Sequence, residues 1–309
     1  MALVTDALLQ SLRTGFRTEF EKAKAKAPSD WAKVATLVPS TAASNTYGWL
    51  GQFPKLREWV GDRTIKDIAE HGYAVTNKLY ESTVGIKRTD IEDDALGVYS
   101  PLFQEMGYAA ATHPDEIIFS LLAAGRTTAC YDGKKFFATD HSVYANTDGT
   151  GSVKSASNLL APTADPKAAW YLLDVSRPLK PLIFQERTKA EITAITDTKN
   201  DHVFTKDQYL YGIRYRCNGG FGFWQQAVCS TKILDAVSFE EALLTLQSFK
   251  ANGGRPLGLG RGGKAGLMLV VPQSLYSAAL DVVGVQLNST GGTNKWYDAA
   301  TILNSPWVE

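Results

Sequence analysis

The sequence is poor in the residues that most often carry chemistry. Cysteine occurs three times in 309 residues, as Cys130, Cys217 and Cys229. An odd number at long spacings, with no Cys-x-x-Cys pair, excludes the disulfide framework of small secreted domains. The three thiols read as reduced and mostly buried. Histidine occurs four times, as His71, His113, His141 and His202, with no spacing typical of metal ligands, so neither zinc nor any other metal is expected. An excess of one charge is also missing, since 32 Lys and Arg stand against 32 Asp and Glu. Gripping nucleic acid as a main task needs a gathered basic surplus, and a zero balance removes the field that would keep copies apart. No apolar run approaches the roughly 20 residues of a membrane span. Asp6, Arg13 and Arg17 break the N-terminal stretch where a signal peptide would be apolar, so a protein that is cytosolic when made is expected.

What is present is an ordinary globular composition, 44% hydrophobic and 21% charged, long enough for one large or two intimate domains. Leu8, Leu9, Leu12, Phe16 and Phe20 recur at helical spacing within residues 3–27. Lys22, Lys24 and Lys26 follow, as the helix dipole favours near a C-terminus. From Trp31 to Leu56 the period disappears but Tyr47, Trp49 and Phe53 remain. Aromatics in irregular chain need something to pack against, which makes this an ordered arm rather than a linker. Arg57–Ile68 and Tyr73–Arg88 read as two charged strands turning at Glu70-His71-Gly72, the second with a change of phase. Thr89 and Glu92 have the spacing of a capping box. Apolar residues then recur as far as Gly125, with a restart at Ser100-Pro101 and a kink expected at Pro114. This predicts a helical spine over 89–125, about 50 Å long if continuous. Turn residues dominate Tyr131–Pro166. Ala190–Thr196 and Tyr209–Cys217 read as sheet, with Asn218-Gly219-Gly220 turning the chain into Phe221–Val228. Ser238 and Glu241 suggest a second capping box, Leu267–Val271 a buried strand, Ser274–Val283 a helix, and Trp296–Trp307 mixed strand and loop.

Tests for catalysis fail. Gly258-Leu259-Gly260-Arg261-Gly262-Gly263 fits the letters of a dinucleotide fingerprint, but it precedes a strand instead of linking a strand to a helix N-terminus. It reads as a mobile loop with Arg255, Arg261 and Lys264 exposed. Asp140, His141 and Ser142 are triad residue types, but neighbours in extended chain do not share a centre, and no Gly-x-Ser-x-Gly elbow presents a nucleophile. Asp90, Glu92, Asp93 and Asp94 crowd one helical turn, where dipole capping accounts for them better than a cation. No catalytic, cofactor-binding or metal residue is therefore assigned.

The order of parts, together with Ala27-Pro28-Ser29-Asp30-Trp31, the run Tyr47 to Trp59, Asp90-Ile91-Glu92-Asp93-Asp94, Ala110 to Glu116, Asp140-His141 and Leu269-Val270-Val271-Pro272, resembles the Mu-like prophage major head subunit family. That family is one of tailed-phage major capsid proteins with the Hong Kong 97-type fold. The resemblance implies an α+β fold with an N-terminal arm (1–56), an extended hairpin loop (57–88), a peripheral domain (89–160) holding the spine helix, and an axial domain (161–290) that includes parts of the peripheral sheet. A C-terminal segment (291–309) follows. It implies self-assembly through hexamers and pentamers into an icosahedral shell around double-stranded DNA, held by weak non-specific contact, in the virion. Expected partners are further copies, portal and decoration proteins, and a separate scaffold or protease, since no scaffolding extension precedes the arm; no membrane is involved. The aromatics of the arm and the charges of the hairpin make Trp49, Phe53, Arg57, Trp59, Arg63, Lys66, Asp67, Lys78 and Glu81 the candidate subunit contacts, the charges setting register more than affinity. A nanocompartment shell of the same fold, or an enzyme using Asp140 and His141, are the alternatives.

Overall fold

A computed structural model describes residues 5–51, 72–93, 95–147, 149–161, 165–287 and 291–309. Helix α1 (Asp6–Lys26) starts where the Thr5 side chain accepts the Leu8 amide, and buries Leu9, Phe16 and Phe20. Then come α2 (Trp31–Val34), β1 (Ala35–Pro39), β2 (Ser44–Thr46), β3 (Ala74–Thr76), β4 (Lys78–Lys87), α3 (Arg88–Glu92) and α4 (Ser100–Ala124). The middle of the chain holds β5 (His141–Tyr144), β6 (Val153–Ala156), β7 (Leu159–Leu160), β8 (Trp170–Asp174), β9 (Leu182–Ile195), α5 (Asp201–Lys206) and β10 (Gln208–Phe221). The last part holds β11 (Ala227–Ser230), α6 (Ala236–Ser248), α7 (Gly263–Gly266), β12 (Leu267–Val271), α8 (Tyr276–Ala279) and β13 (Thr301–Asn304).

Two sheets organise these elements into an α+β fold. One has the order β1-β9-β10-β4, with β1 parallel to β9 and the other neighbours antiparallel. The other has the order β13-β12-β8-β11-β7, around β8 and β12, whose residues are all buried. Helices α1 and α4 cross over the first sheet. There Phe16 stacks on Phe103 at 4.1 Å, and Tyr211 of β10 stands edge-on to both at 5.3 and 5.2 Å. The helices approach so closely that a Cβ on Gly107 would lie 2.2 Å from the Phe20 carbonyl oxygen. Burial of this aromatic cluster, at about 25 cal/mol per Å² of apolar surface, is what fixes the N-terminal helix to the spine.

The buried strand Leu267–Val271 and the spine helix appear where the sequence places them, but several local readings change. The spine is not continuous: α3 gives way to a 3-10 turn at Ala95–Val98 before α4, whose 25 residues span about 37 Å. Helix α3 begins at Arg88, so Thr89 and Glu92 form no capping box; Glu92 pairs instead with Arg88 at 3.1 Å. The second box also moves, because Asp235 is the N-cap and Ser238 its reciprocal partner, while Glu241 pairs with Lys232. Asn218-Gly219-Gly220 makes no turn. Strand β10 runs straight through it, paired with β9 from Leu210 to Phe221. The glycines are there for space, since a Cβ on Gly219 would come within 3.1 Å of Ile117 and Leu121 on α4, and one on Gly220 within 2.5 Å of Val75. Gly125 likewise ends α4 at a right-handed φ of −59°; what it makes room for is the Phe137 ring.

The expected strand Tyr73–Arg88 is divided at Asn77. Strand β3 pairs with β2, while β4 pairs with β10 along its whole length, and this change of partner is the physical content of the phase change. Residues 78–87 thus belong to the chain's own sheet, with Ile86 fully buried. The other expected leg, Arg57–Ile68, lies outside the described residues. The helix expected over Ser274–Val283 is α8, preceded by a 3-10 turn and continued by a π-helical turn at Leu280–Gly284.

Two helical glycines have opposite roles. Gly15 of α1 has nothing within 4 Å of where a Cβ would stand, whereas Gly107 of α4 faces backbone. Gly15→Ala should stabilise by about 0.5–1 kcal/mol, and Gly107→Ala should destabilise by about 1–3 kcal/mol. Urea denaturation of the two variants measures both signs.

Candidate functional site

The residues with the most chemical character do not assemble a reactive centre. His141 is fully buried, with Nδ1 2.6 Å from Asp132 Oδ2, Nε2 3.3 Å from the Phe136 carbonyl, and its ring stacked on Trp224 at 4.0 Å. Burial alone would raise the Asp132 pKa, but the hydrogen bond and charge of His141 outweigh it and leave the carboxyl below its usual range. Burial pushes the Cys130 thiol up, and neighbouring Asp132 pushes it further. Asp140 instead reaches the exposed Lys134 at 2.6 Å, and Ser142 sits opposite Ser155 in the β5–β6 ladder. Neighbours in sequence thus have separate partners, as extended chain requires.

The glycine-rich segment is anchored rather than mobile. Leu257 and Leu259 are buried, and the Gly260 amide donates to Oδ2 of the fully buried Asp174 at 2.6 Å. Asp174 also accepts from the backbone and hydroxyl of Ser176. Gly258 and Gly260 have φ of 66° and 71°, values that side chains disfavour. Arg261 and Lys264 are exposed as expected and Lys264 pairs with Asp298, but Arg255 is half-buried.

The joint between arm and spine depends on one carboxylate. Helix α2 has no cap from its own neighbours, and Asp115 of α4 supplies it, accepting from the Asp30 and Trp31 amides at 2.8 and 2.5 Å. Asp115 borders a groove of about 140 Å³ where Pro28, Tyr108 and Trp307 also meet. Burial raises its pKa, and the two backbone donors only partly compensate.

Surfaces facing solvent are the remaining candidates. Trp49 is 42% exposed and stands edge-on to Tyr47 and Phe223, each at 6.3 Å. Lys78 and Glu81 are exposed on the edge strand β4, and their odd separation points them to opposite faces. Glu81 lies across from Arg214, which in turn lies across from Glu191, giving a row of alternating charge over three strands. The structure therefore does not bring Trp49, Lys78 and Glu81 into one patch. Phe53, Arg57, Trp59, Arg63, Lys66 and Asp67 lie outside the described residues. Sequence reasoning passed over Phe204 in α5, 81% exposed, and Val237 and Leu244 on the outer side of α6. The signal for the α6 pair was available, because apolar residues at 237 and 244 fall outside the stripe of Phe239, Leu243 and Leu246.

A fold with a closed core, no reactive centre among the described residues and scattered large apolar side chains at its surface invites comparison with proteins that assemble. The profile described as "Mu-like prophage major head subunit gpT" matches residues 9–308. The chain belongs to that family. The major capsid protein of Escherichia phage Mu is 46% identical over 291 residues, 94% of each chain. The FluMu prophage major head subunit of Haemophilus influenzae is 46% identical over 294 residues, again 94% of each. Among solved structures, a chain of the bacteriophage JBD30 procapsid has 56% identity and a TM-score of 0.87, covering 98% of this chain and all of its own. A chain of the JBD30 capsid has 41% identity and a TM-score of 0.77 over the full length of both. This Mu-like head subunit accordingly has the Hong Kong 97-type fold that the resemblance implied. It is a major capsid protein, a structural component of the virion and not an enzyme.

Because its folded pKa is raised, Asp115 contributes most to stability when protonated, below its unfolded pKa, and that contribution is lost as pH rises through the folded value. Asp115→Asn keeps an acceptor without the buried charge. It should match or exceed wild-type stability at neutral pH, with the difference shrinking as pH falls into the carboxylate range. Asp115→Ala should cost about 1–2 kcal/mol at neutral pH. Thermal melts across the acidic range test the three chains together.

Proposed function

We propose that copies of this chain close through hexamers and pentamers into an icosahedral shell enclosing double-stranded DNA. The observation that carries the reading is the full-length match to a chain of the JBD30 capsid, and Phe204 and Val237, 81% and 75% exposed, are candidates for the apolar surface that neighbouring copies would cover. Head-to-tail contacts that close on themselves give rings, and many interfaces of the standard ~1,600 Å² or less make a shell without one dominant pair. The related JBD30 capsid occurs decorated with minor capsid protein trimers, which supports a separate decoration protein here; a separate scaffold or protease and a portal complete the expected partners. Balanced charge suits an inner surface that encloses DNA without gripping it. Among the described residues no helix is long and apolar enough to cross a membrane.

The proposed division keeps residues 1–56 as arm, 57–88 as extended loop, 89–160 as peripheral domain, 161–290 as axial domain with parts of the peripheral sheet, and 291–309 as C-terminal segment. Trp49, Lys78 and Glu81, together with the candidates between 53 and 67, are the proposed contacts between copies. Strand β4 belongs to the subunit's own sheet, so removing 57–88 would unfold it. Replacing 57–71 by a short linker isolates the role of the loop.

Light scattering and negative-stain microscopy of the purified protein at micromolar concentration should show closed megadalton particles. Replacement of 57–71 should leave a cooperative melt but no closed particles. Phe204→Ser should lower particle yield while changing subunit stability by less than about 0.5 kcal/mol, as surface substitutions do. Trp49→Ala should lower the yield too, at a stability cost of about 0.5–1.5 kcal/mol for the lost contacts with Tyr47 and Phe223. Intact shells at normal yield from all three variants would refute the assigned contacts.

A further inference from the structure

We propose that Cys130, Asp132 and His141 bind a zinc ion that ties the turn after the spine helix to strand β5. The three come from a tight turn and the strand that follows it. Ala129 bridges Lys135, the Cys130 amide donates to the Lys134 carbonyl at 2.8 Å, and Gly133 turns the chain at φ 76°. This places Cys130 Sγ 3.2 Å from Asp132 Oδ1 and His141 Nδ1 2.6 Å from Asp132 Oδ2, with the three donor atoms within 4.8 Å of one another. Zinc bonds of about 2.0–2.3 Å at a tetrahedral centre separate neighbouring donors by roughly 3.3–3.6 Å, so small rotations of the side chains bring all three into range.

The hydrogen bonding of His141 points to a cation. Its Nε2 faces the Phe136 carbonyl and its Nδ1 faces the Asp132 carboxylate, and both oxygens can only accept when the carboxyl is ionised. A neutral imidazole has one N–H and can donate to only one of them; the Phe136 carbonyl also accepts from Asn158 Nδ2 at 2.8 Å, so what zinc would change is the lone pair on the other ring nitrogen. With zinc on Nδ1, Nε2–H donates to the carbonyl, which is how metal-bound histidines are usually held. Binding breaks the Cys130 S–H bond, forms the sulfur–zinc bond and releases that proton to water. Zinc with one thiolate, one carboxylate and a neutral imidazole has no net charge, which suits the burial of Cys130 and His141. Sulfur, nitrogen and oxygen donors together favour zinc over magnesium or calcium. The Asp132 side chain is 17% exposed and gives water access to a fourth position. The Trp224 ring stacked on His141 fixes the imidazole plane. Residues 130, 132 and 141 match no common ligand spacing, so the site is not legible from the chain in one dimension.

The competing account is a second proton on the ring, making an imidazolium–carboxylate pair to which Cys130 adds only its S–H hydrogen bond to Asp132. Full-length protein purified from zinc-supplemented cells, and the same protein stripped by chelator and reloaded with Zn²⁺ or Co²⁺, separates the two. The proposal expects one metal per chain by elemental mass spectrometry and a thiolate-to-cobalt charge-transfer band in the Co²⁺ form. It also expects a melting temperature that falls on stripping and returns with Zn²⁺. Cys130→Ser, which keeps a hydroxyl donor to Asp132 and so should still fold, should lose the band and the metal-dependent part of the melt; Asp132→Asn should weaken metal retention at least tenfold. Sub-stoichiometric metal after reloading, no charge-transfer band, or a melt indifferent to stripping in folded wild-type protein would overturn the site in favour of the ion pair.

Discussion

Most of the subunit depends on the approach of two helices at one residue without a side chain. Where α1 crosses α4, Gly107 meets the Phe20 carbonyl, and only this approach lets Phe16 and Phe103 stack with Tyr211 below them. The N-terminal helix is thereby part of the body of the subunit. From it the chain enters α2, whose amides are capped by Asp115 one turn past the middle of α4, and then β1, which pairs with β9. Spine, arm and sheet are thus referred to one another through buried contacts. That gives a shell protein a rigid unit to repeat.

The large elements were legible because their signals are periodic and long. Helix α1, the restart of the spine at Ser100-Pro101 and the apolar strand β12 follow from spacing alone. The break at Asn77 was legible too, as a change of phase, although its cause, a switch from the β2 ladder to that of β10, was not. What sequence missed lies mostly in glycine and in pairing. Asn218-Gly219-Gly220 has the letters of a hairpin turn, yet it is strand, because α4 and Val75 press so close to the sheet that no Cβ fits. A glycine required for space and one required for a turn look alike until the neighbour is known.

Caps and clusters failed for a related reason. Capping boxes have a local pattern, and Thr89 and Ser238 satisfy it; the helices begin one residue earlier and two residues earlier, at Arg88 and Ala236, because α3 follows directly on β4 and Asp235 takes the cap with Ser238 as its reciprocal partner. The cap that matters most for the arm comes from Asp115, 85 residues away from Asp30. The convergence of Cys130, Asp132 and His141 is equally hidden in one dimension. Where the reading rested on wording shared with a family, it identified the fold and the role in the virion. Where it rested on local letters, tertiary packing decided.

Strands β9 and β10, at 14 residues each, are about 46 Å long and carry α5 with Phe204 at their far end. Shifts of register between Arg214 and Cys217 put an irregularity partway along, where antiparallel ribbons bend and twist most readily. From there to the tip is about 25 Å, so a bend of some 5° moves Phe204 by roughly 2 Å. The ribbon is a lever whose fulcrum lies inside its own sheet. In the proposed shell, rings of five and of six differ in angle, and that fulcrum can take up the difference while leaving the aromatic core around Gly107 undisturbed.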